Sequence, residues 1–229
     1  MAKFARIVIP GCPHHIIKRG NRRQIVFFSD NDKKKYLEIL KREVTRAGIA
    51  IWTYCLMDNH VHLIAVPERG NSLAKGIGRA TRDYSLLINI RNDWQGHLWQ
   101  HRFDSYPLGE THVYSAVRYI EQNPVEAKIV DRAEDYYWSS ARSHVFGEKD
   151  DLLSDFYLIS EIPDWGSYLR EETSESDIKL FRFHARTGRP LGDDKFIDKL
   201  EKITGRRIKN EKPGPKRRKN IDADPKNLF

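Results

Sequence analysis

The chain has 229 residues, 39% of them apolar and 31% charged, with a mean hydropathy of -0.66. That length is ample for a hydrophobic core; no run approaches the roughly 18 apolar residues of a membrane helix, and two cysteines, Cys12 and Cys55, exclude a disulfide scaffold or a Cys-rich zinc site. Lys and Arg outnumber Asp and Glu by 40 to 32, a net charge of +8 with a pI near 9.4, and residues 206–219 alone carry +7 of it.

Residues 1–10 hold two basic side chains but no apolar block followed by small residues, so no secretory signal is expected and the cytoplasm is the expected compartment. Residues 14–19, His-His-Ile-Ile-Lys-Arg, read as a strand ending at Gly20-Asn21, directly before Arg22 and Arg23. A helix is predicted from Asp30 or Asn31 to about Ala47, with Tyr36, Leu37, Leu40 and Val44 at helical spacing and Gly48 as its stop. Residues 49–56 and 60–66 are β-branched and aromatic runs joined by the hairpin-length turn Met57-Asp58-Asn59. Asn71 or Ser72 caps a second helix reaching about Asn92, with Leu73, Ile77, Tyr84, Leu87 and Ile88 as its apolar positions. Residues 99–108 offer a further strand and 110–123 a third helix, ended by Pro124.

The order strand, helix, strand, strand, helix, strand, helix predicts a ferredoxin-like or RRM-like α+β fold, an antiparallel sheet with helices packed on one face. From about Glu134 onward the chain changes character, with short helices predicted at 139–145, 164–171, 176–187 and 193–203. The expected organisation is a domain over residues 1–133, a C-terminal helical extension over 134–204 and a basic tail over 205–229. The tail, punctuated by Pro213, Gly214 and Pro215, cannot build a core; it reads as a polyanion-binding segment or as a solubilising one.

Two groups of residues have the chemistry of a site. His60 and His62 lie two apart on a predicted strand, so both imidazoles project from one face, the geometry of a metal-ligand pair. The plain alternative is one partly buried and one surface histidine, although the strand is otherwise apolar and a buried imidazole there needs a partner. On the third helix Val113, Ala116, Val117 and Ile120 form the core stripe, with Tyr119 and Asn123 four residues apart on its flank. Tyrosine there suits a nucleophile and asparagine a neutral oxygen ligand; an amphipathic border residue and a cap before Pro124 would look the same. Lys18, Arg19, Arg22 and Arg23 form a basic cluster at a strand end that suits clamping phosphates. Arg79 and Arg82 on the second helix, and Arg206, Arg207, Lys216, Arg217, Arg218 and Lys219 in the tail, are further candidates for DNA contact. Lys33, Lys34 and Lys35 read as solvated surface.

Asp58-Asn59-His60-Val61-His62, followed about 57 residues later by Arg118-Tyr119-Ile120-Glu121-Gln122-Asn123-Pro124, resembles the HUH single-tyrosine transposases, which move certain bacterial insertion sequences through single-stranded DNA. His14-His15-Ile16-Ile17-Lys18-Arg19-Gly20-Asn21, Trp99-Gln100-His101-Arg102-Phe103 and Thr187-Gly188-Arg189-Pro190-Leu191-Gly192 sharpen the likeness towards the REP-associated tyrosine transposase branch, over roughly residues 5 to 219.

The resemblance implies a divalent ion, Mg2+ or Mn2+, held by His60, His62 and Asn123, and Tyr119 as the nucleophile of DNA nicking and strand transfer through a 5′-phosphotyrosine. Asn123 stands where insertion-sequence relatives more often carry glutamine. Tyr114 and Tyr106 are rival nucleophiles by proximity, but neither has an amide four residues on. The implied substrates are single-stranded DNA hairpins, REP-like imperfect palindromes with a short guide beside the stem. A monomer is expected ahead of a homodimer, cytoplasmic and nucleoid-associated when on DNA. A DNA-hairpin-binding regulator that no longer transposes is the alternative function. An RNA-binding module on the RRM-like sheet would need clustered exposed aromatics that the strands lack.

Overall fold

Four short strands with alternating faces close into one sheet. In a computed structural model of the chain, residues 5–209 are described. Strands β1 (His14–Arg19), β2 (Ile49–Met57), β3 (His60–Pro67) and β4 (Asp104–Pro107) pair antiparallel in the order β2-β3-β1-β4. The α+β sandwich expected from the element order is therefore the fold. β2 and β3 form the hairpin, turning at Asp58-Asn59, and Met57 pairs with His60 across it.

Helices α1 (Asp30–Ala47) and α2 (Ser72–Asn92) cover one face of the sheet. Ser29 caps α1 by accepting from the Asp32 amide, and Gly48 ends it in the left-handed region at φ 64°, as a glycine stop requires. Tyr36, Leu40, Leu73, Ile77 and Tyr84 pack there on Ile16, Ile51, Val61, Leu63 and Ala65.

The third helix, α3 (Glu110–Glu121), lies on the other face, so the sheet is covered on both sides rather than one. Its stripe Val113, Ala116, Val117 and Ile120 meets Cys55, Ile64 and Tyr106, residues that alternate away from α1 and α2. Space left beside α3 is filled by α5 (Ala141–Phe146), α6 (Leu158–Glu161), α7 (Trp165–Arg170) and α8 (Glu175–Thr187) of the extension, while α9 (Asp194–Thr204) packs Leu200 on Ile7 and Ile9. Phe156, Leu158, Trp165, Leu169, Phe181 and Leu191 share one hydrophobic cluster with α3 and the sheet. One carboxylate, Glu121, ties this layer together. It is buried and accepts from Thr53 of β2 (2.8 Å), Ser140 and Trp165 (2.9 Å), with His144 Nδ1 at 2.6 Å.

Two predicted boundaries move. The strand expected over 99–108 is Asp104–Pro107; Trp99 bridges Gly20 beyond the end of β1, and between the two the carbonyls of His101 and Phe103 accept from Lys18 and Arg6 instead of from a strand. The third helix stops at Glu121, and Pro124 then sits in the first turn of a short helix, α4 (Asn123–Glu126), where its missing N–H costs nothing. Lys216, Arg217, Arg218 and Lys219 lie outside the described residues. Among the described residues no helix is long and apolar enough to cross a membrane.

Candidate active site

Strand alternation selects the site. On β3, Val61, Leu63 and Ala65 enter the α1/α2 core, which turns His60, His62 and Ile64 to the α3 face. On β1 the register sets Ile17 against His62 and Arg19 against His60, and β4 sets Tyr106 opposite His15. His15, Arg19, His60, His62 and Tyr106 therefore share one face.

The two predicted metal-ligand histidines are together, with ring centroids 4.9 Å apart. His60 Nδ1 lies 2.6 Å from Asn59 Oδ1. An amide oxygen only accepts, so Nδ1 carries the proton and Nε2 keeps its lone pair. His62 Nδ1 lies 2.9 Å from His15 Nε2, and His15 Nδ1 lies 2.7 Å from the Tyr106 hydroxyl, which donates in turn to the Phe181 carbonyl at 3.4 Å. A single direction satisfies that chain: His62 donates to His15, and His15 to Tyr106. His62 Nε2 is thereby left as an acceptor too. Burial pushes His15 down to about 3, and burial with the charge of Arg19 pushes His60 down to about 3. His62, held low by burial and then by His60, His15 and Arg19, is likewise neutral. Neutral imidazoles with one ring nitrogen anchored and the other bare are in the state that binds a divalent ion.

Tyr119 projects from α3 onto these rings, with its centroid 5.8 Å from His62, 6.1 Å from His15 and 5.1 Å from Phe181 of α8. Burial raises its pKa; the charges of Arg182 and Arg19 oppose that shift. Asn123 begins α4 in helical continuation of α3, and its Nδ2 donates to the Tyr119 carbonyl at 2.7 Å and the Ile120 carbonyl at 3.3 Å. Its Oδ1 is the amide atom left for a cation. Among the described residues no three His, Cys, Asp or Glu side chains converge as a ligand set. The Nε2 atoms of His60 and His62 are of the donor type that suits a divalent ion, and Asn123 Oδ1 at the end of α3 is a candidate third donor. The rival tyrosines are placed differently. Tyr106 is buried with its hydroxyl committed to His15, and Tyr114 is exposed beside Glu161.

The predicted basic cluster is split. Lys18 and Arg19 are consecutive strand residues and so face opposite ways. Arg19 is half-buried on the histidine face, within electrostatic reach of Tyr119 and Arg182. Lys18 is instead buried on the α1/α2 side, its ammonium bonded to the His101 carbonyl and lying 5.7 Å from the Trp99 ring centroid. It cannot belong to the patch of Arg19, Arg22 and Arg23. Arg22 and Arg23 are exposed in the turn after β1 at φ 51° and 63°, a left-handed pair of the kind that functional loops hold in place. Arg79 and Arg82 are exposed on α2, on the far side of the sheet from the histidines. Arg206 donates to the carbonyls of Ala5 and Arg6, tying the chain ends together, and Arg207 is exposed.

Three contributors escaped the sequence reading. His15 stands in the adjacent pair His14-His15, but only the β1–β3 register tells which of the two meets His62. Phe181 and Arg182 come from α8, and their spacing within an amphipathic helix gives no sign of a partner some 60 residues earlier in the chain.

The family described as Transposase IS200 like matches residues 9–123. This span runs from just before β1 through Asn123 and includes every candidate ligand and the candidate nucleophile. Among solved structures, one described as the REP-associated tyrosine transposase bound to a REP hairpin is similar at 21% identity and a TM-score of 0.50, covering 68% of this chain and 93% of that one. A crystal structure assigned as a transposase from Deinococcus radiodurans R1 matches at 21% identity and a TM-score of 0.37, covering 53% of this chain and 97% of that one. No curated protein matches.

Proposed function

Because the chain belongs to the IS200-like transposase family, we propose that it is a metal-dependent single-stranded DNA endonuclease and strand transferase of the REP-associated branch, with Tyr119 as its nucleophile. The observation that carries this reading is the convergence of the Tyr119 phenol with the His60 and His62 imidazoles on one sheet face. The substrate class is hairpin-forming single-stranded DNA, in keeping with the similar structure described as bound to a REP hairpin.

His60, His62 and Asn123 would hold Mg2+ or Mn2+, which would offset charge on the non-bridging oxygens of the scissile phosphate. The charges of Arg182 and Arg19 favour the anionic oxygen that burial disfavours. Tyr119 Oη loses its proton and attacks phosphorus; the bond from phosphorus to the 3′ oxygen breaks, and that oxygen takes up a proton. The product is a 5′-phosphotyrosine and a free 3′-hydroxyl. Since the phosphodiester energy is kept in the covalent link, a 3′-hydroxyl can reverse the step and join strands without ATP.

The test is incubation of the full chain with a labelled hairpin oligonucleotide from the DNA flanking its gene, with Mn2+, Mg2+ or EDTA. Denaturing gels and peptide mass spectrometry then look for a protein–DNA adduct. The expected result is a metal-dependent adduct on Tyr119 that is absent in Tyr119→Phe, with hairpin binding retained. An adduct on Tyr114 would overturn the nucleophile, and tight binding without adduct under every metal would move the reading to a DNA-hairpin-binding regulator.

A further inference from the structure

The segment Trp99-Gln100-His101-Arg102-Phe103 has no part in the face described above, yet it walls a cavity of about 490 Å3 on the opposite side of the sheet, against α2. Four cationic side chains line it: Arg6, Lys18, Arg82 and Arg102. Among the described residues that line it there is no Asp or Glu. Two of the cations are held by neutral groups. Lys18 is bonded to the His101 carbonyl, and Arg6 stacks on Phe103 at 3.8 Å while donating to its carbonyl at 2.6 Å. Arg82 pairs with Asp83 at 2.9 Å, but that carboxylate also serves Arg42 at 3.0 Å.

Asp83 and Asp104 stand near these four cations but do not line the cavity, so its concavity stays net positive and suits an anion. Burial lowers Lys18 to about 8 and Arg6 to about 10, with Arg102 adding to the effect on Arg6 and Asp104 opposing it for both. The walls are also open: a Cβ built at Gly78 or Gly96 would meet nothing within 4 Å. The cavity borders the β1 end, where the Gln100 amide donates to the Arg19 carbonyl at 3.0 Å and the Asn21 amide to the Leu98 carbonyl at 2.8 Å. Arg19, Arg22 and Arg23 follow one another at this strand end, next to the backbone bonds that join it to the cavity wall.

We propose that this cavity is a second DNA site, which takes one phosphate-bearing nucleotide of a single strand and anchors it on the far side of the sheet from the cleavage residues. A duplex presents its phosphates on a convex cylinder, whereas a single-strand nucleotide can be turned into a pocket of this size. The inference rests on the DNA-acting reading of the family but not on Tyr119 being the nucleophile.

The experiment is fluorescence anisotropy of the full chain with a labelled oligothymidylate of about a dozen nucleotides, from about 50 to about 200 mM salt. Arg82→Gln/Arg102→Gln removes two exposed cavity cations; Lys34→Gln/Lys35→Gln on α1 removes the same charge elsewhere. The cavity double is expected to raise Kd about tenfold and to flatten the salt slope by about 0.7, the value for one lost phosphate contact on a single strand. The α1 double should stay within about twofold, and Arg82→Lys/Arg102→Lys should recover most of the affinity. Equal weakening by both Gln doubles, or by neither, would overturn the proposal. So would an equal loss on a blunt hairpin, which would make the site a duplex contact. Adduct assays run in parallel separate the two readings: wild-type chain without adduct but with the cavity effect refutes only the nuclease, and adduct without the cavity effect refutes only the cavity.

Discussion

His62 Nδ1 and His15 Nε2 are 2.9 Å apart across the β1–β3 ladder. The contact makes a residue that touches no proposed substrate the orienter of a proposed metal ligand, because it fixes which His62 nitrogen carries the proton. His15→Phe keeps the ring volume and removes the acceptor. The expected outcome is a fall in Mn2+ affinity of about 10- to 100-fold by calorimetry, the usual effect of losing such an outer partner. Adduct formation should recover at high Mn2+. Unchanged metal affinity would leave His15 a packing residue.

The charge of Arg182 is, among the described residues, the first that opposes the effect of burial on the Tyr119 phenol. Arg182→Ala is expected to slow adduct formation about 100-fold at saturating DNA, the scale of losing one donor to a developing anion. Arg182→Lys should keep part of the rate. Because Phe181 next to it is buried, circular dichroism should show α8 intact in both variants. A change in Kd alone, with the single-turnover rate preserved, would reassign Arg182 to DNA binding.

Glu121 gathers hydrogen bonds from β2, the segment before α5, and α7. Burial raises its pKa, but His144 first and then the bonds from Ser140 and Trp165 outweigh that, leaving it below the usual carboxylate value. Glu121→Ala strands several buried donors at once and should destabilise the chain by about 3–5 kcal/mol in urea titrations. A smaller loss in Glu121→Ala/His144→Ala than in the sum of the singles would show that the pair acts as one unit.

His14 is buried, with Nδ1 2.7 Å from the Cys12 carbonyl and Nε2 accepting from the Ile9 amide at 3.2 Å. Both nitrogens are satisfied only in the neutral ring, and burial lowers its pKa from 6.5 to about 4. The unfolded chain therefore takes the proton first as pH falls. Stability from this residue is complete above 6.5 and is lost between 6.5 and about 4. At about pH 5 the loss is roughly 2 kcal/mol. His14→Gln should be less acid-sensitive than wild type by about that amount in urea midpoints at pH 7 and 5; identical pH dependence of the two would refute it.

Much of the fold was legible before any coordinates. Helical spacing at Tyr36, Leu40 and Val44, glycine at 48 and the short turn at Asp58-Asn59 are local signals, and each element formed within a few residues of its predicted place. The pair His60 and His62 was legible for the same reason, since period two along a strand needs no knowledge of its neighbours. The offset from Tyr119 to Asn123 likewise survives the break between α3 and α4, because the Asn123 amide still reaches back to the Tyr119 carbonyl.

What the sequence by itself determined is thus the set of elements, their periodic faces and the family they belong to, all properties of residues near one another in the chain. Which face each helix covers, that His15 rather than His14 meets His62, that Arg182 reaches Tyr119, and that Lys18 parts from Arg19 to join Arg82 and Arg102 were decided only by the tertiary structure. Strand register and the packing of α8 bring together residues as far apart in the chain as His15 and Phe181, and such pairings depend on how whole elements bury their apolar faces, which no local pattern records.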